Sequence, residues 1–293
     1  MPTPRRDPLR LAIRLVVYIV LGYLSLALVG WALLGLGAVL GAVTTVLASA
    51  CLANWLSLRI YEHLSLLDLG LWVNRASSHN LILGIAAGAA AACLVLLPPL
   101  LIGLAHMVPT PAEQPTFGAL LFTTAMLAAG AVGEELLFRG YGFQIMLAEL
   151  GPFATILPVS VLFALLHAAN PNATWFGIAN TAGFGAVFGY AYFRSRDLWL
   201  PIGLHFGWNL TLPLFGVNLS GLRMNVTGSE MSWTAGSLWS GGAYGPEASV
   251  LTSVVVVLLL LFVWKVPVRR QFSPLTGPRA ENAVCEPSPP LPS

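Results

Sequence analysis

The chain reads as an all-α protein, a polytopic transmembrane bundle of about eight helices, on three observations. Hydrophobic residues make up 57% of it and charged residues only 9%, with a mean hydropathy of +0.79, whereas a soluble domain carries roughly 25% charged residues. Apolar runs long enough to cross a bilayer recur from the N-terminus to residue 265. The basic residues fall between those runs in a one-sided pattern.

The elements follow in chain order. Residues 1–11 form a basic cytosolic tail, and "MPTPRRDPLRLAIRLVVYIV" has the outline of a signal peptide. Its apolar part runs far past the ~7–15 residues of a signal core, so it is read as a retained anchor. Spans are expected near 12–34, 37–58, 80–104, 117–139, 153–169, 173–193, 198–215 and 249–265, a bundle over 12–265 whose motif-bearing core is 117–215. The mixed, amphipathic stretch 59–79 is expected to lie along the interface. Residues 216–248 read as a long Gly/Ser/Trp-rich outer loop packing over the mouth of the bundle. Residues 266–293, ending in "EPSPPLPS", read as a Pro-rich, disordered cytosolic tail. Cys51, Cys93 and Cys285 are odd in number and unrelated in spacing, so neither a disulfide framework nor a zinc ribbon is expected.

Charge sets the topology. With the N-terminus in the cytosol, Arg5, Arg6, Arg10, Arg59, Arg75, Arg139, Arg194, Arg196, Lys265, Arg269, Arg270 and Arg279 fall at or beyond cytosolic ends of spans. Arg14 can snorkel to that side, and Arg223 alone is left outside. Both termini are therefore expected in the cytosol. The Ala/Leu/Gly-heavy composition points to a bacterial plasma membrane.

Against this background the stretch "AVGEELLFRGYG", Ala131 to Gly142, is anomalous, because an ionisable group inside a membrane helix is costly unless paired or solvated. Glu135 and Arg139 are four apart and share a helix face, with the glutamate N-terminal, the favourable order. Glu134 is turned about 100° away and is left without that partner. Two later segments offer companions: "FALLHAANP" carries His167, and "LPIGLHFGWNLTLP" carries His205 with Asn209 one turn on. Each histidine alone is better explained as an interhelical hydrogen-bonder than as a catalyst. Depth argues for a set. Glu134 and His167 both lie about 25 Å, at ~1.5 Å per helical residue, from the turn at Gly151–Pro152. His205 reaches a similar level if that turn projects into the cytosol and Arg139 sits at the interface.

A carboxylate, two imidazoles and an amide at one level can hydrolyse an amide. Glu134, without a cation of its own in an apolar setting, suits a general base working near neutrality. His167 can polarise or orient the same water, and His205 and Asn209 can donate to the oxyanion. With no Ser or Cys nucleophile evident at that depth, direct attack by water is preferred over an acyl-enzyme. Glu and His also bind Zn²⁺, but neither H-E-x-x-H nor H-x-x-E-H occurs. No cofactor is required by this chemistry, and zinc is compatible with it without being favoured.

The segments "EELLFRG", "FALLH" and "HFGWN" fit E-E-x-x-x-R, F-x-x-x-H and H-x-x-x-N, in that order and on separate helices. In this the chain resembles the CPBP family of intramembrane proteases, which includes the type II CaaX prenyl endopeptidases and lysostaphin-resistance-like proteins. The resemblance implies a helical bundle with an intramembrane cavity open toward the cytosol. It also implies that Glu134 and His167 activate water, that His205 and Asn209 stabilise the oxyanion, and that Glu135 and Arg139 support them. The expected partners are the lipid bilayer and a membrane-associated protein or peptide substrate, with no nucleic acid. Two other functions use the same pocket: a non-proteolytic binding or immunity protein, and a transporter with a Glu/His ion site. Transport is disfavoured because no inverted pair of broken spans repeats the charged motif.

Overall fold

The computed structural model describes residues 7–110 and 116–276, so the extreme N-terminal basic residues and most of the Pro-rich tail, with Cys285, lie outside the described residues. Seven helices form the first part of the bundle: α1 (Pro8–Ala32), α2 (Ala38–Tyr61), α3 (Arg75–Leu101), α4 (Phe117–Arg139), α5 (Tyr141–Leu150), α6 (Pro152–Leu166) and α7 (Trp175–Ser195). They are followed by α8 (Trp199–Leu214), the short α9 (Ser237–Ser240) and α10 (Val250–Lys265). The chain is an all-α bundle, with one two-stranded antiparallel sheet of β1 (Ala105–Pro109) and β2 (Ser229–Trp233), Met107 opposite Met231.

Helix starts follow local chemistry. Asp7, Asn74, Thr116, Thr174 and Ser249 each accept a backbone N–H of the first turn they precede. Pro8 and Pro152 stand at first-turn positions, where the missing N–H costs nothing.

Every span read from the sequence coincides with a helix, but among the described residues five stretches have the length and hydropathy to cross a membrane: Pro8–Ala32, Val39–Tyr61, Arg75–Leu101, Phe117–Leu150 and Pro152–Ala169. The helices α8 and α10 have 16 residues each, short of the ~20 that span the hydrocarbon core. α7 is long enough but interrupts its apolar residues with Asn180, Thr181, several glycines and Arg194. The outer faces of the bundle are apolar and bare, for example at Ile19, Leu28, Leu162, Leu165 and Val257. Such a rim suits lipid, and the chain is an integral membrane protein.

Three sequence expectations change. The stretch 59–79 is not one interfacial segment. It holds the end of α2, a 3₁₀ turn at Leu66–Leu69 and the start of α3, and Leu69 is fully buried. The outer loop contains β2, α9 and two 3₁₀ turns. Its strand partner lies over a hundred residues earlier, so no local pattern signals it. The run from Glu134 to Gly151 is not one helix, because α4 stops at Arg139 and α5 starts at Tyr141.

The bundle has two chemically different ends. At one, the basic residues Arg10, Arg14, Arg59, Arg75, Arg194, Arg196, Lys265, Arg269 and Arg270 gather at helix termini and in the strap after α10. Asp197 ties that end together: its carboxylate accepts from Asn80 Nδ2 and Gln271 Nε2, each at 2.7 Å, and from Leu200 N. Arg14 pairs with Glu62 there. The other end carries the turn between α1 and α2, the β1/β2 sheet and the segments around Asn170 and 216–248. Its described basic residue is Arg223, paired with Glu230.

Candidate active site

The site is built where α4, α6, α7 and α8 meet, and a backbone device sets its floor. At Gly140 a Cβ would lie 2.2 Å from Leu136 O and 2.3 Å from Asn54 Oδ1, so only glycine fits. Asn54, on α2, occupies the break: its Nδ2 donates to Leu136 O and Ala50 O, and its Oδ1 accepts from Tyr141 N at 2.7 Å. The amide thus replaces helical bonds lost between α4 and α5. Gln144 completes the joint by donating to Arg139 O and Leu69 O.

Arg139, expected at the cytosolic interface, is instead fully buried. Its NH1 lies 3.3 Å from Glu135 Oε1, and its NH2 donates to Gly185 O at 2.9 Å. The guanidinium lies 4.9 Å from the Phe163 ring centre and 5.4 Å from that of Phe188, cation–π contacts that help hold a desolvated charge. Positive charge therefore sits at this depth because an acid and the rings of Phe138, Phe163 and Phe188 surround it, a tertiary arrangement that interface rules do not anticipate.

Glu135 has a second partner. His205 Nδ1 donates to the same Oε1 at 3.0 Å, which turns His205 Nε2 toward Glu134, 3.8 Å from its Oε2. Phe188 stacks on the His205 ring at 5.0 Å and 15°. α8 reaches this depth because it packs closely on α3 through Gly84, Gly88, Gly203 and Gly207, where added Cβ atoms would meet backbone at 2.2–2.5 Å. Small residues let membrane helices approach in this way.

His167 lies at the C-terminal end of α6, in the 3₁₀ turn His167–Ala169. Its Nδ1 is 2.8 Å from Phe163 O. A carbonyl only accepts, so Nδ1 carries the proton and Nε2 faces inward, 3.9 Å from Glu134 Oε2. Glu134 thus stands between two imidazoles, and its Oε2 is buried without a direct hydrogen bond. The level placement of Glu134 and His167 agrees with the sequence reading, although the continuous helix assumed in that depth estimate is broken at Gly140.

These groups line a cavity of about 420 Å³. Asn209 lines it too, one turn beyond His205. All four residues expected to carry chemistry are therefore brought to one cavity, and Glu135 and Arg139 lie directly behind them. The walls come from Val39–Val46 on α2, Met126–Gly130 on α4 and Thr181–Phe188 on α7, and the far side from Leu219–Met224 and Glu247 of the outer loop.

Glu247 was missed by sequence reasoning. It is the acid of "GPEAS" in a loop assigned only to packing, yet its buried carboxylate reaches the cavity. Oε1 accepts from Trp208 Nε1 at 3.3 Å, and Oε2 accepts from the Ser220 hydroxyl at 2.9 Å and from Ser220 N. Burial raises its pKa above the usual carboxylate range, opposed by the Ser220 and Trp208 hydrogen bonds. Glu247 is the one charged residue between positions 231 and 264, and that isolation was the available signal.

The donors do not fit zinc as they stand. Among the described residues, no group of three or more His, Cys, Asp or Glu side chains converges closely enough to hold a metal ion. Tetrahedral ligation at ~2.0–2.2 Å would set ligand atoms about 3.4 Å apart, closer than the 3.8–3.9 Å found between Glu134 and the two histidines.

Fold and site together define a class: a polytopic helical membrane protein with an acid and two imidazoles facing a cavity inside the bundle. Residues 114–211 match the family model of the type II CAAX prenyl endopeptidases, Rce1-like. That match covers every motif residue from Glu134 to Asn209, and over this segment the chain is similar to the CPBP/CAAX protease family. No curated protein and no solved structure gives a significant match to the chain.

Proposed function

We propose that the protein is a glutamate-dependent intramembrane endopeptidase acting on a membrane-associated protein or peptide, with its Arg-rich end in the cytosol. The observation that carries this reading is Glu134 Oε2, set 3.9 Å from His167 Nε2 and 3.8 Å from His205 Nε2. Those separations are too long for direct hydrogen bonds, and one water oxygen at about 2.8 Å can touch all three groups.

In the reaction, Glu134 takes a proton from that water while its oxygen attacks the scissile carbonyl carbon. His167, with its proton on Nδ1, offers the Nε2 lone pair that orients the second water hydrogen. The carbonyl π pair moves to oxygen, and the oxyanion is met by Asn209 Nδ2–H and by His205. With Nδ1 of His205 committed to Glu135, Nε2 is the nitrogen turned to the cavity, and a proton there makes it the donor. The C–N bond then breaks, and the proton held by Glu134 passes to the departing amine. Overall, one water is consumed and an acid and an amine are released.

A non-proteolytic binder would need the same cavity but not a water-activating carboxylate. The test is cleavage of a membrane-tethered peptide library by the purified, reconstituted chain and by Glu134→Gln. Turnover by the wild type, lost at least 10³-fold in the near-isosteric amide without loss of folded protein, is the expected result. Equal activity in the two would sink the assignment, and no cleavage by either would favour the binder.

A further inference from the structure

We propose that the cavity receives its substrate from the side of the membrane opposite the Arg-rich end, so that it acts on extracytoplasmic segments of membrane-associated proteins rather than on cytosolic tails. This rests on the endopeptidase reading for the word substrate, but its geometry stands apart from catalysis. The resemblance noted above would place the opening on the cytosolic side. Three features of this chain place it on the other.

The first is where the lining comes from. Leu26 near the end of α1, Val39 at the start of α2, Asn170 in the turn after α6, and Leu222, Met224 and Glu247 of the outer loop all border the cavity. Each belongs to the end that carries the β1/β2 sheet. Among the described residues, the arginines of the Arg-rich end do not line it.

The second is the floor. Immediately beneath Glu134 and His205 lie Glu135 and Arg139, both with no exposed surface, and below them Tyr141, Gln144 and Tyr192, also with none. The ion pair, the Gly185 carbonyl and the Asn54-filled break seal this level. A peptide arriving from the Arg-rich side would have to part a buried ion pair, whereas one arriving from the loop side meets Leu222, a lining residue of the cavity that is itself 44% exposed.

The third is orientation. Arg59, Arg75, Arg194, Arg196, Arg269 and Arg270 mark the sealed end, and clustered Arg at span ends faces the cytosol. The open end carries Arg223 already paired with Glu230, together with the acid Glu247. Sealed floor and basic flank thus share one side, and mouth and loop the other.

The test reads accessibility, not turnover. In the full chain with Cys51→Ala, Cys93→Ala and Cys285→Ser, single cysteines are placed at Leu222 (the mouth), Thr181 (inside the cavity) and Leu67 (the sealed end). Intact cells are treated with a small, charged, membrane-impermeant methanethiosulfonate before and after permeabilisation. The expected result is labelling of Leu222→Cys and Thr181→Cys in intact cells at the level reached after permeabilisation, with Leu67→Cys labelled only afterwards. Protection of Leu222→Cys in intact cells overturns the proposal. So does a Thr181→Cys that stays unlabelled while Leu222→Cys reacts, because the mouth would then not lead to the site. A chain that cleaves nothing can still give the expected pattern, so failure of the protease reading and failure of this one are separable.

Discussion

Glu135 Oε1 lies 3.0 Å from His205 Nδ1 and 3.3 Å from Arg139 NH1, so one carboxylate oxygen both anchors an imidazole of the site and neutralises the buried guanidinium beneath it. Structure and chemistry are therefore coupled at Glu135 and separated at Glu134, whose Oε2 has no direct hydrogen bond. Glu135→Gln leaves Arg139 buried without its counter-charge, and breaking such a pair costs about 3–5 kcal/mol. It also loosens the tautomer and ring orientation of His205, so turnover should fall as well. Replacing both partners, Glu135→Gln with Arg139→Met, should recover part of the stability without recovering activity. Denaturation in detergent alongside a cleavage assay checks this. A Glu135→Gln protein as stable as the wild type would show that the pair does not carry the floor.

Much of this site was legible in the sequence, and the reasons for the exceptions are physical. Charge is so costly in an apolar helix that Glu134, Glu135, His167 and His205 stood out by residue type alone, and helical periodicity put Asn209 on the face of His205. What could not be read was anything set by contacts distant in the chain. Arg139 looked like an interfacial arginine because nothing local reveals that Phe163, Phe188 and the Gly185 carbonyl enclose it. The break at Gly140 is fixed by Asn54, 86 positions earlier. Glu247 sat in a loop whose fold over the cavity depends on Trp208 and Ser220.

The α3–α8 seam should control the depth of His205. A Cβ at Gly88 would lie 2.2 Å from Leu204 O and 2.9 Å from Trp208 N, backbone atoms that cannot rotate away. Gly88→Ala should therefore push α8 outward, at an overpacking cost of about 1–3 kcal/mol. The displaced His205 should lose its Glu135 bond and turnover should drop by roughly 10²-fold, as a catalytic group misplaced by about 1 Å does. Gly22→Ala, with nothing within 4 Å of the added carbon, serves as the neutral control. Equal activity in Gly88→Ala and Gly22→Ala would mean that the seam does not set the site.

Metal dependence can be decided through His205. If Glu134 and His167 activate water without a metal, activity should survive exhaustive chelation. His205→Ala should then cost roughly the 10²–10³ of a lost oxyanion donor rather than everything. If zinc were catalytic, His205 and His167 would be its ligands beside Glu134, and His205→Ala would empty the site. Elemental analysis of both proteins, with chelated and metal-restored activity, separates the cases. Stoichiometric zinc in the wild type, absent from His205→Ala and needed to restore turnover, would overturn the metal-free mechanism while leaving the endopeptidase reading in place.

Glu247 should make closure of the outer loop pH-dependent. Its carboxyl is held above the ordinary range, chiefly by burial, with the Ser220 and Trp208 hydrogen bonds pulling the other way. A raised value in the closed form means that closure is favoured most below the ordinary carboxylate pKa of about 4.3. The advantage is lost as pH rises from there through the raised value, by up to about tenfold in the open population per pH unit. Above that value the dependence should level off. Hydrogen exchange of the backbone amides in 216–248, normalised for the intrinsic pH dependence of exchange, should therefore show progressively weaker protection across this window. Glu247→Gln keeps the shape of the side chain and cannot ionise, so its profile should be flat, with protection close to that of the acid-side wild type. A wild-type profile as flat as that of Glu247→Gln would show that the loop is held by its apolar contacts and the Asn180 hydrogen bonds to Glu247 O and Ser249 O alone.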